Sequence, residues 1–237
     1  VIVFAAAFCA AGQARGQRQQ GAPGAPPPGT EAAREQQSSQ PPVGPQPPSG
    51  TPQAAQQFPA PPAVERLSKT QHTMTVKGQT IPYTATAGTL VLKREDEKPL
   101  ASIFFVAYTR DDVQDKTKRP ITFTFNGGPG SSSVWLHLGA FGPRRVVMPL
   151  EGTQPAPPYQ LTDNDDTPLV FTDLVFIDPV TTGFSRHAPG ENPAQFHSVE
   201  GDLDSVADFI RLYTTRFERW GSPKFLAGES YGTTRAA

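Results

Sequence analysis

From Val64 onward, short apolar and β-branched runs alternate with polar breaks, a pattern that predicts strands joined by turns. Residues 73–76, 81–86 and 89–93 are such runs, separated by Lys77-Gly78-Gln79 and Ala87-Gly88, and they read as an N-terminal β-meander. Residues 101–108 predict a strong strand centred on Ile103-Phe104-Phe105-Val106, and 110–119 a charged turn. The next strand, 121–125, runs directly into Asn126-Gly127-Gly128-Pro129-Gly130. Leu174-Val175-Phe176-Ile177 is apolar without a break, as a strand covered on both faces would be. The period then changes. Val199, Leu203, Val206, Ile210, Tyr213, Phe217 and Trp220 step by four and three, which is one apolar stripe of a helix. Ser198 can cap its start, and Gly221 and Pro223 should stop it. Residues 224–227 predict a short strand, so strand, helix and strand make a crossover within a parallel sheet. The expected class is α/β, with a mostly parallel sheet preceded by the meander.

The first 63 residues follow another pattern. Val1 to Ala11 is an apolar run ending in small residues, too short for a bilayer span of about 20 residues. It suits the apolar region of a secretory signal peptide over 1–14, with cleavage between Ala11 and Ala14 and the first few residues missing. The other reading of this run is a short apolar strand. Residues 15–63 are rich in Pro and Gln, with only Val43 and Phe58 as large apolar side chains. Such a segment cannot bury enough surface to offset its ordering entropy, so it reads as a disordered linker. As a flexible chain it would span about 40 Å. A ligand for a Pro-recognising domain is the sharper alternative, supported by spacing alone. The folded part is then 64–237.

Charge and cysteine content narrow the function classes. The formal net charge is −1, without a clustered basic face, which argues against nucleic acid. The single cysteine, Cys9, allows neither an internal disulfide nor a cysteine-rich metal site. Asp163-Asn164-Asp165-Asp166 carries the acids of a calcium loop, but Pro168 stands where such a loop needs Gly and no Glu closes it, so a solvated turn is expected. No phosphate loop or dinucleotide fingerprint occurs, and no cofactor or metal is expected.

Two motifs at predicted strand ends carry chemistry. Gly228-Glu229-Ser230-Tyr231-Gly232 matches G-x-S-x-G, in which the serine sits on a sharp strand-to-helix turn with small residues on both sides to let the backbone cross. A short strand precedes it and residues 233–237 can begin a helix, the setting the motif requires. Ser230 is the candidate nucleophile. Asn126-Gly127-Gly128-Pro129-Gly130 supplies the other half of an acyl-transfer site, backbone amides exposed by glycine. One oxyanion donor would be Gly128 or Gly127, the other Tyr231.

At these residues the sequence resembles the serine carboxypeptidase family, secreted α/β-hydrolases that remove C-terminal residues from peptides. Residues 126–133 are similar to the family's N-G-G-P-G-[CS]-S-S, Gly142-Pro143 falls where the family has a Gly-Pro, residues 175–185 resemble its L-F-[IL]-D-x-P-x-G-x-G-[FY]-S, and residues 228–232 are its nucleophile motif. The resemblance spans 64–237, and Ser131 with the scarcity of cysteine points to the bacterial branch. It implies an α/β-hydrolase fold, attack by Ser230, an oxyanion hole from the amides of Gly128 and Tyr231, and hydrogen bonds from Asn126 and Glu229 to the substrate's terminal carboxylate. Peptide or protein C-termini are the implied substrates, and a secreted or periplasmic location the implied compartment. Two carboxylates share a site only if one is protonated, which favours acid conditions.

The sequence also departs from the family. Ala140 stands where a second Glu is common, Thr124 where an aromatic is common, and Thr181 where Gly is usual in the turn after Asp178. The acid and the histidine of an α/β-hydrolase triad follow the serine in chain order. Here His72, His137, His187 and His197 all precede Ser230, with His137 nearest the Gly-rich loop, and Asp178 is expected to fix its own loop. The expectation is therefore the front part of a domain truncated after the nucleophile turn. Alternatives are an esterase or aminopeptidase on the same fold, against which Asn126 argues, and a tethered non-catalytic binding protein.

Overall fold

A computed structural model describes residues 2–5, 62–149 and 151–237. The elements described form one compact unit, while the linker expected over 15–63 and Cys9 lie almost wholly outside the described residues. One eight-stranded mixed sheet dominates. Strands β2 (Arg66–Val76), β3 (Gln79–Lys93) and β4 (Pro99–Arg110) form the antiparallel meander. β5 (Ile121–Phe125), β8 (Asp173–Ile177) and β10 (Lys224–Gly228) lie beyond it, with the spatial order β10-β5-β8-β4-β3-β2. β8 pairs antiparallel with β4, whereas β5 runs parallel to both β8 and β10. The expectation of a mostly parallel sheet is corrected on this point: parallel pairing is confined to the half that carries the glycine motifs. A two-residue strand, β9 (Arg186–His187), pairs with β4, and β6 (Arg144–Val146) pairs with β7 (Leu161–Asp163) as a separate ribbon.

Ile2–Ala5, inside the run expected to be a leader, forms strand β1 parallel to β10 at the sheet edge. Among the described residues no helix is long and apolar enough to cross a membrane.

Alternation along the strands divides the core into two layers. In β8, Val175 and Ile177 face one layer and Leu174 and Phe176 the other, so every residue of the run is buried. The first layer joins Ile103, Phe105, Ile121, Phe123 and Phe125 to helix α2 (Val199–Arg216) through Val206, Phe209 and Tyr213. Phe105 meets the rings of Phe209 and Tyr213 at 5.6 and 5.4 Å. The second layer gathers Met74, Ile81, Tyr83 and Leu169 under a short helix, α1 (Val134–Leu136), which runs into a π-helical turn over His137–Phe141.

Three local expectations need correction. Ala87-Gly88 is not a turn: β3 is continuous, and Gly88 is there because a Cβ would stand 1.9 Å from the Arg66 carbonyl oxygen. The buried face of α2 is rotated from the apolar stripe. Phe209, Asp202 and Ser205 are inside, while Val199 and Trp220 are exposed. The helix also ends at Arg216, five residues before the expected stop at Gly221, because Glu218 turns into the left-handed region at φ 55°. The Ser198 cap is present, its Oγ accepting from the Gly201 amide at 3.1 Å. Finally, the turn at 163–166 is solvated only at Asp165 and Asp166, and it also clips distant segments together. Asn164 is buried and donates to the carbonyls of Ala140 and Gly142, while Asp163 and Asp165 accept from the amides of Thr75 and Lys77 at the end of the meander.

Candidate active site

β5 and β10 are in register, Phe125 opposite Gly228, so their C-terminal ends deliver both glycine motifs to one place. Past this point the chains cross backbone to backbone. A Cβ at Gly228 would lie 1.9 Å from the Gly232 carbonyl oxygen. One at Gly232 would meet the Phe125 carbonyl at 2.5 Å, and one at Gly127 the Tyr231 amide nitrogen at 2.4 Å. Separations under 3 Å leave no room for a side chain, which explains glycine at 127, 228 and 232.

Ser230 sits between them at φ 55° and is exposed. The short helix α3 (Gly232–Ala236) follows at once, its first turn held by the Gly232 amide on the Glu229 carbonyl at 2.8 Å and the Thr233 amide on the Ser230 carbonyl at 2.9 Å. A non-glycine residue in the left-handed region is strained, and here the strain lifts the hydroxyl out of the turn. Gly128 has φ 111° in the facing loop. Among the described residues no hydrogen bond uses the amide of Gly127, Gly128 or Tyr231.

An open cleft of about 520 Å³ is lined by Asn126, Gly128, Glu229 and Ser230, together with Trp135 and Ala140. Four of the five predicted site residues therefore share one cavity. The fifth, Tyr231, follows Ser230 directly and lines a neighbouring pocket. Asn126 is fully buried; its Nδ2 donates to Glu229 Oε2 at 3.1 Å and its Oδ1 accepts from the Leu136 amide at 3.1 Å. Ala140 lies on the wall itself, so among the described lining residues Glu229 is the single carboxylate.

The loop after β8 braces the Gly-rich segment. Asp178 accepts from the Ser133 amide at 2.9 Å and the Phe184 amide at 3.3 Å, and burial pushes its carboxyl above the usual range. It thus fixes its own loop, as expected, and ties that loop to the Gly-rich one. Thr181, where the resemblance anticipates Gly, takes φ 69°, so the glycine-like turn is kept and the threonine is strained. Ser133 Oγ donates to the Ile177 carbonyl, closing the same junction.

None of the four histidines lines the cleft that holds Ser230. His137 stacks on Phe176 at 4.6 Å and hydrogen-bonds the Tyr108 hydroxyl at 2.6 Å, and burial holds its pKa down to about 4. The ring is half-buried, packed against the core through Phe176 and Tyr108. His72 stacks on Tyr83 and bonds Thr70, His187 contacts the Ala188 carbonyl, and His197 bonds Thr181. Among the described residues no group of three or more His, Cys, Asp or Glu could hold a metal ion.

Sequence reasoning missed one participant. Arg235, read only as part of a helix start, is buried in an ion pair with Asp202 (Nε to Oδ2, 2.7 Å) and also donates to the Asn126 carbonyl. A helical stripe that placed Asp202 on the buried face was the available signal, since an unpaired acid there would be costly.

With this geometry in hand, comparison with known proteins is decisive. The family model described as "Serine carboxypeptidase" matches residues 78–234. The chain belongs to the serine carboxypeptidase family. Over 156 residues it is 33% identical to the pheromone-processing carboxypeptidase KEX1 of Saccharomyces cerevisiae, covering 61% of this chain and 20% of that protein. A carboxypeptidase Y homolog of Arthroderma benhamiae is 31% identical over 130 residues, covering 54% of this chain and 23% of that one. Serine carboxypeptidase-like 37 of Arabidopsis thaliana is 29% identical over 144 residues, covering 55% and 26%. Among solved structures, KEX1(delta)p, a prohormone-processing carboxypeptidase from Saccharomyces cerevisiae, aligns at TM-score 0.48 and 30% identity over 62% of this chain and 31% of that one. The chain spans about a fifth to a quarter of the length of these curated relatives.

Proposed function

We propose that this chain carries the nucleophile and the substrate-carboxylate reader of a serine-type carboxypeptidase with an α/β-hydrolase fold. Ser230 attacks the C-terminal peptide bond of a peptide or protein to form an acyl-enzyme. The amides of Gly128 and Tyr231 receive the developing oxyanion, and Asn126 with Glu229 binds the terminal carboxylate. Among the described residues no histidine lines the cleft of Ser230. The observation that carries the reading is the shared cleft of Asn126, Gly128, Glu229 and Ser230, with the serine in a left-handed turn. Asn126 favours this over an esterase or aminopeptidase, because its amide is a donor suited to a substrate carboxylate. With Ala140 in the wall, recognition falls on Asn126 and Glu229.

The test uses the protein expressed from its full open reading frame, on a peptide with a free C-terminus and on its C-terminal amide. Wild type should release residues from the free acid and far more slowly from the amide. Ser230→Ala should lower kcat by about 10⁴-fold or more, since the covalent step is lost. Equal release by wild type and Ser230→Ala removes the nucleophile assignment, and equal cleavage of acid and amide removes the carboxylate reader. The leader reading of 1–14 and the secreted or periplasmic location belong to the same proposal. N-terminal sequencing of the mature protein should find a start between Ala11 and Ala14, and an intact Val1–Phe8 segment would overturn it.

A further inference from the structure

Asn126 of the proposed reader follows β5 and Ser230 follows β10, and one buried cation joins the two segments. Arg235, in α3, is 7% exposed and Asp202, in the first turn of α2, is 5% exposed. The guanidinium meets both carboxylate oxygens, Nε to Oδ2 at 2.7 Å and Nη2 to Oδ1 at 3.2 Å. Its remaining edge, Nη1, donates to the backbone carbonyl of Asn126. Its centre lies 4.9 Å from the ring of Tyr231. The parallel ladder has ended at Phe125, so the Asn126 carbonyl is buried without a strand partner and needs a donor from elsewhere. Asn126 is thereby held by its carbonyl through Arg235 and by its Oδ1 through the Leu136 amide, which leaves the Nδ2 group aimed at Glu229.

We propose that Arg235, oriented by Asp202, is a positioning residue that locks the backbone of Asn126 to the nucleophile helix, so that the carboxylate reader and the Ser230 turn keep one fixed spacing. This rests on the reading of Asn126, Glu229 and Ser230 given above. The planar fork of arginine is required because three directions are satisfied at once, and a lysine ammonium cannot span both Asp202 oxygens and the Asn126 carbonyl with that geometry. Asp202 is well placed to hold a charge, since a helix N-terminus favours an anion.

Removing Arg235 alone would strand a buried carboxylate and endanger folding, so the main variant is Asp202→Leu with Arg235→Met, which replaces the pair by apolar groups of similar size. Two readouts are taken on the full-length protein: amide hydrogen exchange over 124–131 and 229–233, and kcat and KM on a free-acid peptide and on a small ester without a carboxylate. The expected result is a folded variant whose exchange in those two segments is faster on the order of tenfold. Its KM for the free-acid peptide should rise about tenfold, while ester turnover changes less than about threefold. A folded variant with unchanged exchange and KM overturns the proposal. If the double variant does not fold, Arg235→Lys is read in the same assays. Intermediate exchange and KM support positioning, and wild-type values overturn it. Should the wild-type protein release no residue from any peptide, the functional reading fails by itself and the exchange result alone decides the positioning claim.

Discussion

At their C-terminal ends β5 and β10 meet with almost no side chain between them. At their N-terminal ends the same strands are joined by long charged side chains. There Asp173, the first residue of β8, accepts from Arg119 Nε and Arg219 Nη1, both at 2.7 Å, and from the Arg110 amide at 3.1 Å. Arg219 also donates to the Arg119 carbonyl and to Ser222 Oγ, and Arg119 to the Leu169 carbonyl. All three charged residues are buried. The backbone at this end is stitched as well, the Ile121 amide to the Pro223 carbonyl and the Asp173 amide to the Pro120 carbonyl, each at 2.9 Å. The site end thus combines glycine contact and a left-handed serine with one buried pair, Arg235–Asp202, while the other end relies on a three-residue charge cluster. Exposed donors and a residue in the left-handed region cost stability, which satisfied contacts elsewhere must offset.

The comparison breaks most sharply at Asp173. Asp173→Ala leaves two buried guanidinium groups without their carboxylate, and loss of one partner from a buried network costs about 3–5 kcal/mol. Urea unfolding should show a loss of that size, at a stage when Ser230→Ala, on an exposed residue, changes stability by less than about 0.5 kcal/mol. A loss below about 1 kcal/mol for Asp173→Ala would mean that the cluster is not the strand anchor described here.

The next effect separates the two ends by pH. His137, at the start of the π-helical turn, has its folded pKa lowered by burial to about 4 from an ordinary value of 6.5. Between those values the unfolded chain binds a proton that the folded one does not. Stability therefore rises with pH through this window and is lost as pH falls from 6.5 to 4, by up to about 3 kcal/mol. His137→Gln keeps a hydrogen-bonding partner for Tyr108 but cannot titrate. The stability difference between wild type and this variant, measured by denaturant at pH 7 and pH 4, should shift against wild type by about that amount. A difference independent of pH would show that His137 is not buried as a neutral ring.

How much of this was legible beforehand depends on the range of the interaction. The strands 101–108, 121–125, 174–177 and 224–227 and the Ser198 cap follow from local pattern, and the structure places each within a few residues of where that pattern puts it. The two glycine motifs were legible because their chemistry is written in consecutive residues. What failed was set by contacts between distant residues. Gly88 reads as a turn until the Arg66 carbonyl is known to press on it. Arg119 reads as surface charge until Asp173 and Arg219 are brought beside it. Residues 163–166 read as solvated until the carbonyls of Ala140 and Gly142 claim Asn164. Arg235 escaped for the same reason, since its partners Asp202 and Asn126 are 33 and 109 positions away.

The smallest effect tests the strain itself, and it turns on a sign. At ordinary helical or extended positions glycine is worse than alanine by about 0.5–1 kcal/mol, because it has more freedom to lose on folding. In the left-handed region the order reverses, since a Cβ there costs about 1–2 kcal/mol. Ser230 has φ 55°, so Ser230→Gly should be more stable than Ser230→Ala by about 0.5–1 kcal/mol, although both have lost the hydroxyl. Comparing these two variants cancels the loss of the oxygen and leaves the backbone alone. Ala207→Gly, at an exposed position inside α2, supplies the opposite sign, a loss of about 1 kcal/mol. Thermal midpoints of the three variants are enough to read it. If glycine proves worse than alanine at both places, Ser230 is not held in a strained turn, and the contrast between a strained site end and a relaxed, charge-clamped end is lost with it.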